Sequence, residues 1–485
     1  MSAHVAGAAD VTTSFFIDGK WSDSGSDHAL PVFNPANGEL ITQINYGGHQ
    51  QAVAAADAAA DAFAAWSTRP ARERADLLSA IASLVASRAA EIGRLLSRES
   101  GKRLAEAEAE VRFASDYFRW FAEEVRRPSG DLIASNPGGQ RQLSIRRATG
   151  VAVCLTPWNF PVSIQARKLA AALAAGCTTV SRPSEKAPLA VIELFRCLEA
   201  AGLPAGVANL INGSAATQAQ SLIQHPAVRI VSFTGSTPVG VELMAGCAGR
   251  VVRPLLELGG DAAFIVFDDA DVDAAVEGAM AAKFRNNGQS CIAANRFVVH
   301  DKVYSSFRER FVAAVDAMTI GNPLNDESTQ LGPVIDDDRA ASLHALVDDA
   351  EERGARRLSR RRNLPPQGIY FAPAILEDVS PSAGMAQQEV FGPIAGMFRF
   401  QTEAEALQLA NDTTMGLAAY CYTQDSGRAW RMIDGLDAGI IGLNDPLPSA
   451  ANAPLGGTKS SGIGREGARI GLEEYCDVHY VSWRP

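Results

Sequence analysis

From Gly150 onward, short apolar runs alternate with helical stretches, and this alternation constrains the fold more than any other feature. The first runs are Val151 to Leu155 and Val207 to Ile211, followed by Ile230 to Phe233 and Phe264 to Phe267. Short apolar runs joined by helices are typical of parallel strands with crossover helices. The sequence therefore predicts an α/β protein built on parallel sheets.

A helical region precedes this series, and a second α/β series follows it. Residues 51–66, 71–97 and 102–125 are rich in Ala, Leu, Glu and Arg with apolar positions at helical spacing, which predicts a largely helical first quarter. Strand candidates at Arg296 to Val299 and Gly439 to Leu443 belong to the second series. A chain of 485 residues has room for two or three such domains.

Two segments resemble half-exposed strands although they are remote from both series. They are Gln142 to Arg147 and Tyr475 to Trp483, near the C-terminal end. We expect them to pair either with each other or with another subunit.

Composition excludes several classes of function. The net charge of −11 argues against a general nucleic-acid surface, so an anionic substrate would need a local cationic pocket. The first residues, MSAHVAGAADVTTS, lack a basic start and an apolar run, and no apolar run approaches the roughly 20 residues that span a bilayer. We therefore expect a cytoplasmic protein with no membrane partner. The seven cysteines form no CxxC pair, which predicts reduced thiols and no metal site.

Three motifs follow strand candidates of the first series. Asn159 in TPWNFP could donate its amide to a developing oxyanion, although a turn-forming Asn between two prolines can also be structural. FTGSTPVG opens a probable helix at Gly235 and Ser236, where free amides attract phosphate, but its spacing is not GxGxxG. LLELGG places Glu257 in an apolar run, which makes this carboxylate a candidate general base.

Two further motifs lie in the second series. Cys291 in GQSC is either a nucleophile or a buried small hydrophobe, the commonest fate of a free cysteine. EVFGP contains Glu389 and Phe391 and could equally be a turn after a strand. Each motif is weak alone, and their order and joint occurrence carry the argument.

The set WNFP, FTGS, ELGG, GQSC, EVFGP and PLGGTKSSGIGREG resembles the aldehyde dehydrogenase superfamily from about Phe16 to Val481. The resemblance implies an aldehyde-dehydrogenase-like α/β fold with a parallel-sheet cofactor domain, an α/β catalytic domain and a β oligomerisation arm. The expected bounds are 1–127 and 148–257 for the cofactor domain, 258–450 for the catalytic domain, and 128–147 and 451–485 for the bridging segments. A homodimer or homotetramer is expected.

By this resemblance, Cys291 adds to the aldehyde carbonyl, and Asn159 and the Cys291 amide stabilise the thiohemiacetal oxyanion. Hydride transfer to the nicotinamide leaves a thioester, which water activated by Glu257 hydrolyses. The glutamate also favours hydrolysis over transfer to coenzyme A, because the acylating branch generally lacks it.

The resemblance also implies a cofactor site for NAD or NADP. It places Trp158 and Ser236 at the pyrophosphate, Glu389 at the nicotinamide-side ribose and Phe391 at the nicotinamide. In RPSE, an arginine, Arg182, stands where the family usually has lysine. Arg182 and Ser184 could bind the 2′-phosphate of NADP, whereas Glu185 would repel that phosphate and suits the free 2′-hydroxyl of NAD. We expect NAD. The remaining expected cofactor contacts are Thr156, Gly235 and Leu258.

Within the superfamily the chain is most similar to the succinate semialdehyde branch, through QARKLAAALAAGC, KFRNNGQSC and TKSSG. Members of that branch hold the distal carboxylate with two arginines and a serine, which predicts Arg167, Arg285 and Ser461 as substrate ligands. The alternative is that Arg167 and Arg285 face solvent and bind no substrate. The segment Leu443 to Pro454, expected to line the substrate mouth, departs from the branch pattern.

Several alternatives remain open at this stage. Glutarate and 2-oxoglutarate semialdehydes fit the same three residues, since one methylene changes binding by only about 1–3 kcal/mol. A general aliphatic or aromatic aldehyde dehydrogenase is a second alternative, and a non-catalytic binding protein is a third. Because Ala293 stands where some branch members have a second cysteine, no redox-switch disulfide is expected at Cys291.

Overall fold

The computed structural model describes residues 15–23, 29–127, 130–134 and 139–485. The start of the chain that the sequence analysis considered, residues 1–14, lies outside the described residues, as do 128–129 and 135–138 within the predicted bridging segment 128–147. No described helix combines the length and the apolar content needed to cross a bilayer.

The described helices, in chain order, are α1 (His49–Ser67), α2 (Ala71–Ser87), α3 (Ala89–Ser100), α4 (Leu104–Glu124), α5 (Pro161–Ala175), α6 (Leu189–Ala200), α7 (Ala215–Gln224), α8 (Thr237–Ala248), α9 (Val272–Phe284), α10 (Asp301–Ala317), α11 (Asp337–Glu352), α12 (Gly384–Gln387), α13 (Glu403–Asn411), α14 (Ser426–Gly435) and α15 (Ala468–Glu473). The predicted helical first quarter is confirmed by α1 to α4. The single helix predicted over 71–97 is two helices in the structure, because the chain turns at Arg88 between α2 and α3.

The described strands, in chain order, are β1 (Phe15–Ile17), β2 (Lys20–Ser22), β3 (Ala29–Phe33), β4 (Leu40–Asn45), β5 (Gly130–Ile133), β6 (Arg141–Ala148), β7 (Val151–Thr156), β8 (Thr178–Pro183), β9 (Ala208–Leu210), β10 (Val228–Thr234), β11 (Arg253–Glu257), β12 (Ala262–Val266), β13 (Ala294–His300), β14 (Arg356–Arg357), β15 (Ala374–Glu377), β16 (Ile394–Phe400), β17 (Met415–Gly416), β18 (Ala418–Tyr422), β19 (Ile440–Leu443), β20 (Thr458–Lys459), β21 (Gly462–Ile463) and β22 (Cys476–Trp483).

The first sheet has the order β2-β1-β9-β8-β7-β10-β11-β21, and its five strands from β9 to β11 run parallel. Every residue of β7 and β8 is buried, as expected for parallel strands covered by helices on both faces. Parallel strands end at one edge of the sheet, and here β7, β10 and β11 end at Thr156, Thr234 and Glu257. Three of the predicted motifs therefore begin at the same edge.

The second sheet has the order β14-β15-β16-β13-β12-β18-β19. Its strands from β15 to β19 are parallel, and the short β14 pairs antiparallel at one end. Two parallel sheets joined through Leu258 to Asp261 confirm the predicted α/β architecture.

A third, three-stranded sheet has the order β22-β6-β5. Its register runs from Cys476 opposite Ala148 to Trp483 opposite Arg141, which confirms that the two stray segments pair with each other. Of the predicted bridging segment 451–485, β22 joins this sheet, whereas β21 pairs with β11 in the first sheet.

Candidate active site

Cys291 follows a tight turn that two asparagines make possible. Arg285–Gly288 form a single 3₁₀ turn in which Asn286 and Asn287 adopt φ values of 52° and 58°. Asparagine tolerates this left-handed region because its short polar side chain bonds locally. The Asn286 amide donates to the Gln289 carbonyl at 3.0 Å, and the Asn287 side chain accepts from the Gly332 amide at 2.7 Å. The asparagine pair in FRNNGQSC thus fixes the approach to the thiol.

Glu257 lies against the thiol. The Cys291 Sγ donates to Glu257 Oε1 at 3.1 Å, and only 2% of Glu257 is exposed. Burial, followed by the negative charge of Glu257, raises the pKa of the Cys291 thiol well above its usual value. The resting pair is therefore a protonated thiol and a carboxylate that can accept its proton.

Asn159 is hydrogen-bonded to the same turn. Its Nδ2 donates to the Gln289 carbonyl at 3.2 Å, and its own carbonyl accepts from Lys102 Nζ at 2.7 Å and from Asn286 Nδ2 at 3.0 Å. Lys102 is fully buried and also pairs with Glu110. An amide nitrogen carries two hydrogens, so Asn159 keeps one for a further acceptor.

Arg167, predicted as a substrate ligand, contacts protein carboxylates. Its Nη2 donates to Glu257 Oε2 at 2.8 Å, and its Nε donates to Glu466. Glu466 also accepts from Lys168, whose Nζ donates to Ser232 Oγ at 2.9 Å. Arg167 is 5% exposed and still faces the cavity at the thiol, so it belongs both to the cavity wall and to a buried charge network.

A small cavity of about 50 Å³ lies at the thiol, and a larger one of about 760 Å³ lies outside it. The two share the side chains of Phe113, Arg285 and Ser449, so they form one path from the surface to Cys291. The Arg285 guanidinium stands over the Phe160 ring at 5.0 Å and makes no ion pair with any described residue. It is the available cation on this path.

The structure corrects the assignment of Ser461. Its side chain is fully buried, and its hydroxyl donates to the Gly259 carbonyl at 2.6 Å and accepts from the Gly416 amide at 2.9 Å. The serine that lines both cavities is Ser449. It lies in Leu443 to Pro454, so the segment expected at the substrate mouth lines the cavities, whereas the expected Ser461 does not.

A cleft of about 400 Å³ between α7 and α8 lies at the carboxyl edge of the first sheet. Thr156 and Arg182, two expected cofactor contacts, line it. Arg182 Nη2 donates to Glu185 and to the Gly213 carbonyl at 2.7 Å, while its buried Nε has no partner among the described residues. Ser236 precedes α8 and leaves its hydroxyl out of the helix cap. An unpaired guanidinium donor and a helix start are chemically suited to a dinucleotide phosphate.

The other expected cofactor residues do not line this cleft. The Trp158 and Phe391 rings meet edge to face, with centroids 5.4 Å apart. Glu389 Oε1 accepts from the Gly260 amide at 3.2 Å, and a Cβ at Gly259 would lie 3.0 Å from Glu389 Oε2. The remaining expected contacts lie beside the cleft: Leu258 packs against Gly240 of α8, Gly235 precedes Ser236, and the Ser184 hydroxyl accepts from the Lys186 amide.

Sequence reasoning missed Arg339, whose guanidinium stands 5.4 Å over the Phe391 ring. Its segment carries no motif, and only the fold brings α11 to this position. The cleft between α7 and α8, with the unpaired Arg182 Nε and the start of α8, fits the phosphates of a nicotinamide dinucleotide. Among the described residues no cluster of His, Cys, Asp or Glu is arranged to hold a metal ion.

Comparisons with known proteins agree with this geometry. The family model "Aldehyde dehydrogenase family" matches residues 21–481. The chain is 43% identical to succinate-semialdehyde dehydrogenase [NADP(+)] of Escherichia coli K12, 42% to glutarate-semialdehyde dehydrogenase of Pseudomonas putida KT2440 and 43% to 3-sulfolactaldehyde dehydrogenase of Pseudomonas putida, each over 96% of both chains. The crystal structure of succinate-semialdehyde dehydrogenase from Burkholderia pseudomallei superposes with a TM-score of 0.96 at 40% identity, covering all of both chains.

A partly buried thiol beside a carboxylate, at the end of a path from the surface and in the same chain as a cleft that suits a dinucleotide phosphate, is the arrangement of a dehydrogenase site. The chain belongs to the aldehyde dehydrogenase family. It is an NAD(P)-dependent aldehyde dehydrogenase, and its substrate is an aldehyde.

Proposed function

We propose that this enzyme oxidises succinate semialdehyde, or a close ω-carboxy semialdehyde, to the dicarboxylate. The observation that carries the proposal is Arg285, a cation on the path to Cys291 that makes no ion pair with a carboxylate in the part of the chain that the structure describes. Charge-assisted hydrogen bonds to an acid group contribute about 1.5–3 kcal/mol. Ser449, on the same wall, offers a hydroxyl to the same group.

The first chemical step forms a bond between Cys291 Sγ and the aldehyde carbon. Glu257 accepts the thiol proton across the 3.1 Å contact, which produces the nucleophilic thiolate. The second hydrogen of the Asn159 amide and the Cys291 backbone N–H then stabilise the oxyanion of the thiohemiacetal. Bound NAD(P) supplies the acceptor for the hydride that leaves this carbon.

The resulting thioester remains attached to Cys291 until water attacks it. Glu257 first releases the thiol proton to solvent, and its carboxylate, which faces Sγ, then takes a proton from that water. Cleavage of the C–S bond releases a carboxylic acid, and the proton held by Glu257 returns to Sγ to restore the thiol.

For the cofactor we propose NAD over NADP. Glu185 pairs with Arg182, which neutralises the cation that could receive a 2′-phosphate, and its carboxylate suits a free ribose hydroxyl. A mixed preference is the alternative, because the Nε of Arg182 has no protein partner.

We also propose a homodimer or homotetramer assembled through the three-stranded sheet. Its edge strand β22 exposes Val478, Tyr480 and Trp483 by 67%, 60% and 57%. An apolar edge strand of eight residues is suited to pairing with a second chain.

The test is kcat/KM for succinate semialdehyde, glutarate semialdehyde and butanal, each with NAD and with NADP. The wild type should prefer an acid-bearing aldehyde strongly, and Arg285→Ala should lose about 10- to 100-fold of that preference, the value of one charged hydrogen-bonding group. Arg103→Ala is the matched control, since Arg103 lines only the outer cavity and pairs with Glu106. Equal use of butanal by the wild type and by Arg285→Ala would support a general aldehyde dehydrogenase instead.

The ratio between the two semialdehydes decides between succinate and glutarate. The inner cavity is only about 50 Å³, which favours the substrate with the shorter chain between its aldehyde and its carboxylate, succinate semialdehyde. A higher kcat/KM for glutarate semialdehyde would reassign the enzyme to the longer substrate.

A further inference from the structure

The backbone carbonyl of Asn159, the proposed oxyanion donor, is held by two buried side chains. Lys102 Nζ donates to this oxygen at 2.7 Å, and Asn286 Nδ2 donates to it at 3.0 Å. We propose that Lys102 is a positioning residue for the oxyanion step, because its hydrogen bond fixes the backbone from which the Asn159 amide extends. The inference rests on the oxyanion role proposed for Asn159.

The side-chain amide of Asn159 has little else to orient it. Its Nδ2 donates to the Gln289 carbonyl at 3.2 Å, whereas its Oδ1 is buried and has no hydrogen-bond partner among the described residues. One hydrogen bond leaves an amide free to rotate about the line that joins donor and acceptor. The direction of the second Nδ2 hydrogen therefore depends on how firmly the Asn159 backbone is held.

Lys102 lies just before α4 and is fully buried. Its ammonium has three hydrogens to place. Nζ pairs with Glu110, donates to the Asn159 carbonyl and lies 4.1 Å from the centroid of the Phe160 ring. Two of these three contacts are thus to the segment that carries the oxyanion donor.

Glu110 extends this hold to the start of α5. Its Oε1 accepts from the amides of Val162 and Ser163 at 3.0 and 3.2 Å, in the first turn of that helix. The pair of Lys102 and Glu110 therefore fixes the chain at Asn159 and again a few residues later. Replacing a buried ion pair by apolar side chains of similar size is often neutral for stability, so positioning accounts for this pair better than stability does.

Loss of the Lys102 donor leaves the Asn159 carbonyl with Asn286 alone. The side-chain amide can then shift, and a displacement of about 1 Å at a reacting group can cost about 100-fold in rate. The loss falls on the steps in which an oxyanion forms. Lys102→Met should therefore lower kcat for aldehyde oxidation while KM changes little.

Two reactions of Cys291 without cofactor isolate the oxyanion, and in both Glu257 accepts the thiol proton. With 4-nitrophenyl acetate, Sγ bonds to the acetyl carbon to give an oxyanion, and nitrophenolate then leaves with the electron pair of the broken C–O bond. With iodoacetamide, Sγ bonds to the methylene carbon and iodide leaves with the electron pair of the C–I bond, so no oxyanion forms. The nitrophenolate burst measures the first rate, and mass spectrometry of the Cys291 peptide measures the second.

The expected results differ between the two reactions. Lys102→Met should slow the nitrophenolate burst by about 10- to 100-fold and leave the rate of alkylation unchanged. Asn159→Ala should slow the burst by about 10²–10³-fold, the usual effect of removing an oxyanion donor. The variant that combines both changes should be no slower than Asn159→Ala, because Lys102 acts through Asn159.

Lys283→Met is the matched control. Lys283 is also fully buried, and its Nζ donates to Asn295 Oδ1 at 2.9 Å. Both rates should stay at the wild-type value in this variant. If Lys102→Met does not fold, Lys102→Met/Glu110→Gln replaces it, because the glutamine removes the unpaired charge and keeps an oxygen for the amides of α5; the same selective slowing is expected.

Four results overturn the inference. They are a wild-type burst rate without Lys102, equal slowing of the burst and of alkylation, losses that multiply in the combined variant, and the same selective slowing in Lys283→Met. If Asn159→Ala is slow in each of these cases, the oxyanion role of Asn159 stands. A wild-type burst rate in Asn159→Ala overturns that role together with the inference.

Discussion

Cys291 donates its thiol hydrogen to Glu257 Oε1 across 3.1 Å, so the future nucleophile lies against the future base. The thiol is not activated in the resting enzyme, because burial and the Glu257 charge raise the pKa of Cys291 well above its usual value. The contact joins residues 34 positions apart at the ends of β11 and of the turn before β13. The junction of the two sheets therefore creates the reactive pair.

The first prediction concerns the base. Glu257→Gln should preserve acylation of Cys291 in part but slow thioester hydrolysis by about 10²–10⁴-fold, the usual contribution of general base catalysis. Rapid mixing of enzyme, NAD and aldehyde should then show a burst of reduced cofactor followed by little turnover. A steady-state rate equal to that of the wild type would mean that another group activates the water.

The second prediction concerns the nucleophile. Cys291→Ala should abolish aldehyde oxidation and ester hydrolysis, because no other described thiol reaches the cavity: the remaining six are buried elsewhere. Affinity for NAD, measured by calorimetry, should stay within about threefold, since the cleft between α7 and α8 is distant from the change. Residual oxidation above that of a Cys291→Ser sample would contradict the assignment.

The third prediction is a pH dependence of cofactor binding. Burial raises the pKa of Glu389 to about 7, with smaller opposing effects from the Gly260 amide and Arg339. Only the ionised carboxylate accepts hydrogen bonds from both ribose hydroxyls, so the affinity for ADP-ribose should fall as the pH decreases from 8 to 6. Because the bound form is the deprotonated one, the loss lies below pH 7.

Adenosine supplies the control for this titration, because it lacks both the second ribose and a phosphate that titrates, and should bind with no change between pH 6 and 8. Glu389→Gln should bind ADP-ribose with weak, pH-independent affinity. If the wild type binds ADP-ribose equally at both pH values, Glu389 does not contact the cofactor in its ionised form.

Much of this architecture could be predicted from the sequence, because buried strands and helices have apolar residues at regular spacing. The all-apolar run at Val151 to Leu155 predicted a parallel strand, and the alternating pattern from Tyr475 to Trp483 predicted a half-exposed one. The motifs at Glu257 and Cys291 were located in another way, from their order along the chain and their joint occurrence with the other motifs.

Side-chain partners were not predictable in the same way. Arg167 and Glu466 are 299 positions apart, and no local pattern signals that their charges meet. Ser449 and Ser461 illustrate the same limit, because both lie on loops near the end of the chain and only the folded path of each loop decides which faces the cavity. Sequence spacing identifies which residues can act, whereas tertiary contacts decide which are free to act.

The fourth prediction concerns assembly. Val478 is 67% exposed on the edge strand β22, and Val478→Asp places a charge there. An interface formed by pairing of this strand would bury the charge without a partner, which is unfavourable, so the variant should shift toward monomers. Light scattering after size-exclusion chromatography measures the mass directly. Trp430→Asp is the matched control, since Trp430 is 66% exposed on α14, outside the third sheet. A Val478→Asp sample with the wild-type mass would show that the oligomer, if one forms, uses another surface.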